Sequence, residues 1–314
     1  MDFSIIIQVV LLIVGFVFLI KGSDFFVDGA SSIASILKVP TIIVGLTIVA
    51  FGTSAPEAAV SITSSLTGSN AMAVSNVIGS NLFNMLMVIG IAALFGDLLM
   101  EKKVLNRDLP FLVIITVIFV AFVFIGGNIT SIEGILLLII LIGYIIYLIH
   151  DARKTGAMNL VEKPKFSLPK SILLIIVGLA GIIIGGDLVV DSASAIAIAV
   201  GMSETLVGLT IVAIGTSLPE LVTSLTALRK GENDLVIGNV IGSNIFNILF
   251  VLGASSAISA MTISQNMLID IVFMIIITII FFIFGKTQDK YDKKEGIILV
   301  VLFIGYIAFA ILRN

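Results

Sequence analysis

The sequence has no cysteine, one histidine and few charged residues. Without cysteine there is no disulfide bond, no thiolate metal site and no thiol redox chemistry. The single histidine, His150, ends an apolar run beside a basic segment, which favours an interfacial side chain over a general base. Charged residues make up 12% of the chain, against about a quarter in soluble domains. These absences argue against an enzyme and against a soluble fold.

Apolar residues fill most of the chain instead. They make up 59% of the 314 residues, and about 20 consecutive apolar residues suffice to cross a bilayer. Residues 3–20 lack a basic leading segment and run on into polar positions, so we expect a retained first span and not a signal peptide. Ten spans are predicted, at residues 4–28, 41–66, 71–95, 109–126, 132–149, 171–192, 204–228, 236–259, 267–285 and 296–312.

Basic residues alternate from loop to loop. Fifteen of the 17 Lys and Arg residues fall in the loops after spans 1, 3, 5, 7 and 9, and the exceptions are Lys21 and Arg313. Because cytoplasmic loops are enriched in Lys and Arg, this pattern supports ten spans in a plasma membrane. It predicts that both chain termini are extracytoplasmic and that the basic connection 150–170 is cytoplasmic.

The chain contains an internal repeat. Residues 45–57 (GLTIVAFGTSAPE) recur as 208–220 (GLTIVAIGTSLPE), and 76–84 (NVIGSNLFN) recur as 239–247 (NVIGSNIFN). Spans 1–5 therefore correspond to spans 6–10, and an odd number of spans inverts the second copy. The predicted fold is an all-α membrane protein of ten transmembrane helices in two inverted five-helix repeats, 1–149 and 171–314, joined by the linker 150–170.

Each repeat places a glutamate where hydrocarbon is expected. A charge at the bilayer centre costs about 3 kcal/mol, so the matched pair Glu57 and Glu220 indicates a cation site. Pro56, with Gly52 before it, has no N–H for the carbonyl one turn back, and Gly215 and Pro219 repeat this arrangement. We therefore expect helices 2 and 7 to be broken near the midplane. A capping box, in which a serine and the glutamate three residues later satisfy backbone N–H groups, is the alternative explanation.

Polar stripes on spans 3 and 8 accompany the glutamates. Residues spaced by four share a helix face. Asn76 and Asn239 are best explained as interhelical hydrogen-bonding residues, and the remainder as contributors to the cation site. The stripes are Asn76, Ser80 and Asn84, and Asn239, Ser243 and Asn247. An all-oxygen set of this kind suits hard cations such as Ca²⁺, and two carboxylates balance one Ca²⁺ or hold monovalent ions.

The paired Gly-Thr-Ser-x-Pro-Glu and Gly-Ser-Asn motifs, in inverted halves over nearly the whole chain, closely resemble the repeats of the sodium/calcium exchanger family. The resemblance implies antiport of Na⁺ against Ca²⁺ by alternating access, with no cofactor. It implies Glu57 and Glu220 as central ligands, and Asn247 stands where the family often has Asp. The further ion-binding positions that it implies are Ala50, Thr53, Ser54, Ser80, Asn84, Ala213, Thr216, Ser217 and Ser243.

Other functions stay open at this stage. A desolvated glutamate can carry a proton, so H⁺/Ca²⁺ exchange is the first alternative, beside a K⁺-dependent exchanger of the same superfamily. A cation channel and an intramembrane hydrolase are more distant. Asp24, Asp28, Asp187 and Asp191 are interpreted as helix-end residues, with ion access as the alternative. Beyond Ca²⁺, Na⁺ and the lipid bilayer, no nucleic acid and no obligatory protein partner is expected.

Overall fold

The computed structural model describes residues 3–154, 163–202, 211 and 213–313, and nearly all of them are helical. The helices of the first half are α1 (Phe3–Leu37), α2 (Thr41–Thr53), α3 (Ala55–Leu66), α4 (Asn70–Phe95), α5 (Val104–Gly126) and α6 (Ser131–Lys154). Those of the second half are α7 (Leu168–Ala199), α8 (Ala213–Gly215), α9 (Leu218–Arg229), α10 (Asn233–Ile258), α11 (Gln265–Gln288) and α12 (Lys293–Arg313).

Within the described ranges, eight helices are long and apolar enough to cross a membrane, and α2 with α3 forms a ninth such unit bent by 49°. The bend lies at Ser54, two residues before Pro56. The predicted span 204–228 begins outside the described residues, so its first part cannot be compared. Large apolar side chains are exposed along the outer helices, with Ile125 and Leu312 among the most exposed, as is expected of a surface that faces lipid.

Spans 1 and 6 are longer than predicted. The predicted ranges were 4–28 and 171–192, whereas α1 continues to Leu37 and α7 runs from Leu168 to Ala199. At 1.5 Å per residue, helices of this length reach about 50 Å, which exceeds the hydrocarbon thickness. The prediction that Asp24 and Asp28 lie at the end of the first helix is therefore wrong, because both lie within α1. The helix continues because these carboxylates find partners, Arg229, Lys230 and Lys165.

Glycines bring α1 and α7 into backbone contact. A Cβ on Gly22 would lie 2.7 Å from the Gly178 carbonyl oxygen, and one on Gly185 would lie 2.7 Å from that of Gly15. Because the later residue of α1 meets the earlier residue of α7, the two helices run antiparallel. Small residues allow this approach, which gives van der Waals packing where no hydrophobic driving force acts between helices.

Two short antiparallel strand pairs connect the halves crosswise. β1 (Leu98–Leu99) pairs with β4 (Lys290–Tyr291), and β2 (Asn128–Ile129) pairs with β3 (Met261–Thr262). Each strand thus finds its partner in the other half. The centre of the molecule is formed by α4 and α10, which are the most buried of the long helices described and carry the polar stripes.

Candidate cation site

Glu57 and Glu220 are both fully buried and begin two half-length helices. Each lies in the first turn, of α3 and α9 respectively, where the helix dipole favours a negative charge. Ser54 Oγ donates to Glu220 Oε1 at 3.1 Å, and Ser217 Oγ donates to Glu57 Oε1 at 3.1 Å. Ser54 lies three residues before Glu57 but bonds to Glu220, and Ser217 lies three residues before Glu220 but bonds to Glu57. These reciprocal contacts bring the two carboxylates to one centre.

The same contacts exclude the capping-box explanation. Ser54 and Ser217 occupy the N-cap positions of α3 and α9, but neither side chain bonds to the backbone of the helix that it precedes. Both hydroxyls instead reach the carboxylate of the opposite half. The serines therefore contribute to the junction between the halves and not to helix initiation.

Ser80 joins the first carboxylate to the second half. Its hydroxyl donates to Glu57 Oε1 at 3.3 Å and lies 3.1 Å from Ser217 Oγ, and Asn247 Nδ2 donates to it at 3.0 Å. The matching Ser243 lies 3.4 Å from Thr53 Oγ1. The two halves therefore contribute the same residue types with different hydrogen bonding.

Asn76 and Asn239 hold the backbone at the glutamates. Their Nδ2 atoms donate to the Glu57 and Glu220 carbonyl oxygens at 3.3 and 3.4 Å. Each also donates at 3.0 Å to a serine one turn later, Ser61 or Ser224. Their interhelical hydrogen-bonding role is confirmed.

The carbonyl oxygens of these two asparagines accept from threonines of the opposite half. Thr53 Oγ1 donates to Asn239 Oδ1 at 3.0 Å, and Thr216 Oγ1 donates to Asn76 Oδ1 at 3.5 Å. Asn76 thus connects α3, which holds Glu57, to the helix break before Glu220. Asn239 connects α9, which holds Glu220, to the helix break before Glu57.

Several buried polar atoms at this centre have no hydrogen-bond partner among the described residues. They are Glu57 Oε2, Glu220 Oε2, Asn247 Oδ1 and both amide atoms of Asn84. No described Lys, Arg or His forms an ion pair with either glutamate. A buried carboxylate without a partner is costly, so this set of oxygens fits a cation that supplies the missing charge.

Among the described residues, the charge of the site comes from these two carboxylates. Within the described ranges there is no group of three or more His, Cys, Asp or Glu side chains that could hold a metal. Further ligands must therefore be neutral oxygens of Asn, Ser, Thr or backbone.

Irregular helical segments surround the glutamates. Gly45–Val49 in α2, Asn84–Val88 in α4 and Asn247–Leu252 in α10 are π-helical, a form that frequently occurs at functional sites. The Ala50 carbonyl oxygen accepts the Ser54 amide at 3.0 Å, so the break does not leave it unbonded. Ala213 begins α8, and the residues preceding it in the repeat, 203–210 and 212, lie outside the described part of the chain.

A cavity of about 550 Å³ approaches the site from one side. Its inner end includes Asn76 and Thr216, and its outer wall includes Met72 and Ser264 at the helix ends after loops 2–3 and 8–9. The matching residues Asn239 and Thr53 are buried. The cavity therefore ends at Asn76, which bonds to the Glu57 carbonyl oxygen, whereas its counterpart Asn239 is covered.

Three groups of buried or hydrogen-bonded polar residues were not identified from the sequence. Ser61 and Ser224 bond to the asparagines, and their repeat at the 163-residue offset could have identified them. Asn81, inside the Gly-Ser-Asn motif, accepts from Asn247 Nδ2 at 3.1 Å. Away from the site, the fully buried Asp108 carboxylate pairs with Arg107 and accepts from the Tyr144 hydroxyl at 2.9 Å.

The acidic residues of α1 and α7 lie apart from this site. Asp24 and Asp28 form ion pairs with Arg229, Lys230 and Lys165, whereas their repeat counterparts Asp187 and Asp191 are exposed. Asp270 pairs with Arg313 at 2.9 Å. The structure does not bring these carboxylates to the two glutamates.

Comparison with known proteins places the chain in one family. The model of the "Sodium/calcium exchanger protein" family matches residues 7–150 and 170–312. The chain is 37% identical to a putative antiporter CaxA of Alkalimonas amylolytica over 96% of this chain and 98% of that protein. It is 31% identical to the sodium/calcium exchanger MaX1 of Methanosarcina acetivorans, again over 96% and 98%.

A solved structure agrees with this assignment. The sodium-calcium exchanger NCX_Mj, soaked with 10 mM Na⁺ and 10 mM Sr²⁺, superposes with a TM-score of 0.86 at 30% identity, over 97% of this chain and 98% of that one. On the sequence match, the shared fold and the paired buried glutamates, the chain belongs to the sodium/calcium exchanger family of membrane transporters.

Proposed function

We propose that this protein exchanges Na⁺ for Ca²⁺ across the cell membrane by alternating access. The observation that carries the proposal is the pair of buried glutamates. Each is bonded through Oε1 to a serine of the opposite half, and each Oε2 has no partner among the described residues. Two carboxylates balance one Ca²⁺ or two Na⁺. A cation therefore removes the cost of two buried negative charges, whichever ion supplies the neutralisation.

The ion ligands are proposed residue by residue. Glu57 and Glu220 are central, with Asn84 and Asn247 beside them, since all four have unpartnered buried oxygens. Ser80 and Ser243 provide hydroxyl oxygens next to the carboxylates. The remaining proposed contributors are Thr53, Ser54, Thr216, Ser217 and the backbone of Ala50 and Ala213. Na⁺ and Ca²⁺ are transported substrates, and no cofactor is required.

Exchange follows from the electrostatics of the site. An unneutralised pair of glutamates resists passage through the low-dielectric interior, because a charge there is costly. A site loaded with Ca²⁺, or with Na⁺, does not carry this penalty. The protein would therefore change its accessible side only when loaded, and movement of one ion would require return of the other. No covalent chemistry is involved.

The architecture that we propose is the ten-helix inverted repeat, 1–149 and 171–314, with the second and the seventh transmembrane spans broken, before Glu57 and before Glu220. The antiparallel glycine contact of α1 with α7 and the crosswise strand pairs support it. From the distribution of basic residues, we propose that both termini and the open side of the cavity lie outside the cytoplasm. Because the chain has no cysteine, a single Lys165→Cys substitution reports the side of the linker. A membrane-impermeant thiol reagent should label it in intact cells only if this orientation is wrong.

Ion fluxes in proteoliposomes test the function. Vesicles loaded with Na⁺ and diluted into Na⁺-free medium should accumulate ⁴⁵Ca²⁺, whereas Glu57→Gln and Glu220→Gln protein should not exceed empty vesicles. Uptake that ignores the Na⁺ gradient would overturn the proposal.

The same vesicles separate the alternatives. Uptake driven by a pH gradient without Na⁺ would establish H⁺/Ca²⁺ exchange, which the uncompensated glutamates also permit. A requirement for K⁺ together with Na⁺ would establish the K⁺-dependent form. Single-channel currents would instead identify a cation channel.

A further inference from the structure

The side chain of Asn247 has two possible orientations with opposite effects on a cation. The Oδ1 atom can bind a cation, whereas the NH₂ group repels it. In the structure Nδ2 donates to Ser80 Oγ at 3.0 Å and to Asn81 Oδ1 at 3.1 Å, and Oδ1 is buried without a partner among the described residues. The hydrogen bonds of the NH₂ group therefore decide that oxygen is the free atom.

Asn81 is itself an amide, so its orientation also has to be fixed. Its Nδ2 donates to the Met274 sulfur at 3.9 Å, and its Oδ1 accepts from Asn247. A thioether can only accept a hydrogen bond. If Asn81 were flipped, its oxygen would face the sulfur and its NH₂ group would face the NH₂ group of Asn247. Met274 thus favours the orientation of Asn81 that accepts from Asn247.

The other half lacks this series of contacts. The stacked ring pairs Phe111–Tyr144 and Phe273–Tyr306 show that α5 corresponds to α11 at an offset of 162 residues. Position 274 therefore corresponds to Leu112, whose side chain has no hydrogen-bond acceptor.

The asparagines of that half are accordingly held differently. Asn244, the counterpart of Asn81, donates to the Val240 carbonyl oxygen of its own helix at 2.7 Å. Asn84, the counterpart of Asn247, has neither amide atom bonded within the described structure. The difference between methionine and leucine accompanies a difference in how the two amides are held.

We propose that Met274 and Asn81 are positioning residues that keep the carbonyl oxygen of Asn247 directed at the transported cation. This rests on the proposed function, because it assigns Asn247 as an ion ligand. Met274 touches no ion itself, since it acts through Asn81. Its thioether belongs to α11, so the orientation of one ligand depends on the packing of α11 against α4.

A double-mutant cycle separates this role from simple packing. Met274→Leu conserves volume and removes the acceptor. In the wild-type background it should raise the KM for Ca²⁺ about two- to tenfold at unchanged maximal rate, the equivalent of one hydrogen bond. In an Asn247→Asp background it should not raise KM, because either carboxylate atom presents oxygen. Met261→Leu is the control, since this fully buried methionine of β3 has no described sulfur hydrogen bond and does not line the cavity.

The outcomes are distinct. An equal KM increase in both backgrounds, or none in the wild-type background, would overturn the proposal. If Asn247→Asp protein does not transport, Asn81→Asp is the second background, because its two oxygens accept from Asn247 in either orientation and Met274→Leu should again be silent. Absence of Na⁺-driven Ca²⁺ uptake by the wild type would instead refute the proposed function itself, and this proposal with it.

Discussion

Ser54 of the first half donates a hydrogen bond to Glu220 of the second at 3.1 Å, across 166 residues of sequence. Ser217 and Glu57 make the reciprocal contact at the same distance. Neither carboxylate is therefore held only by its own half. Binding at this centre necessarily involves both halves, which is what a transporter requires if ion loading is to control their relative motion.

Removal of either serine hydroxyl should weaken ion binding. Ser54→Ala leaves Glu220 Oε1 without its donor, and Ser217→Ala leaves Glu57 Oε1 with only the longer bond from Ser80, so the KM for Ca²⁺ should rise about three- to thirtyfold, with the larger effect in Ser54→Ala. Initial rates of ⁴⁵Ca²⁺ uptake measure this. Ser65→Ala is the matched control, because Ser65 is buried on α3 but its hydroxyl has no described partner. A similar loss in Ser65→Ala would show that the effect is not specific to the carboxylates.

Calcium should stabilise the detergent-solubilised protein. A ligand at about 100 times its Kd adds about 2.7 kcal/mol to the free energy of unfolding, so Tm should rise on Ca²⁺ addition and fall on chelation. Glu57→Gln should abolish this shift, because it removes one of the two charges that balance the ion. A Ca²⁺-dependent shift of normal size in Glu57→Gln protein would place the ion elsewhere.

Asn76 and Asn239, which bond to the backbone at the two glutamates, should differ in their contribution to stability. Asn239→Leu breaks bonds to the Glu220 carbonyl, Ser224 and Thr53 in a fully buried setting. We expect a loss of about 1–3 kcal/mol in the free energy of unfolding. Asn76→Leu should cost less, because Asn76 borders the cavity and its bond from Thr216 is longer, 3.5 Å. Thermal unfolding without Ca²⁺ tests this order, and a larger loss in Asn76→Leu would contradict it.

The contact between α1 and α7 should not tolerate one added methyl group. A Cβ on Gly178 would lie 2.5 Å from the Phe26 amide nitrogen, so Gly178→Ala should separate the helices and cost about 1–3 kcal/mol. Gly143→Ala is the control, since nothing lies within 4 Å of its added Cβ, and alanine should there be neutral or stabilising. Equal Tm values for the two variants would refute the close approach.

The ion pair of Arg107 with the buried Asp108 should contribute more to stability than the pair of Arg313 with Asp270 at the corresponding position of the second half. Arg107→Leu removes the pairing partner next to the fully buried Asp108, and about 3–5 kcal/mol of stability should be lost. Arg313→Leu removes the partner of Asp270, whose side chain is 16% exposed, so the loss should be smaller. Urea or thermal unfolding of both variants gives the comparison, and an equal loss would mean that burial of Asp108 is not the deciding factor.

Most of the helical architecture could be predicted from the sequence, because long apolar runs and a repeat with a fixed offset indicate local structure. Predicted and observed limits agree within three residues for α2 with α3 taken as one span, and for α4, α10 and α11. They differ for α1 and α7. In α1 the polar positions Asp24 and Asp28 resemble a helix end unless their distant partners Arg229 and Lys230 are known. The alternative explanation, a capping box, could be excluded only from the direction of the Ser54 and Ser217 side chains.

By itself, the sequence determined which chemical groups the protein has and that each occurs in both halves: Glu57 with Glu220, Asn76 with Asn239, Asn84 with Asn247. That information is local and survives in the order of residues. Only the tertiary structure decided that each serine bonds to the carboxylate of the other half and that Met274, through Asn81, leaves the oxygen of Asn247 free. Two nearly identical halves have the same local preferences, so the differences between them arise only where they pack against each other.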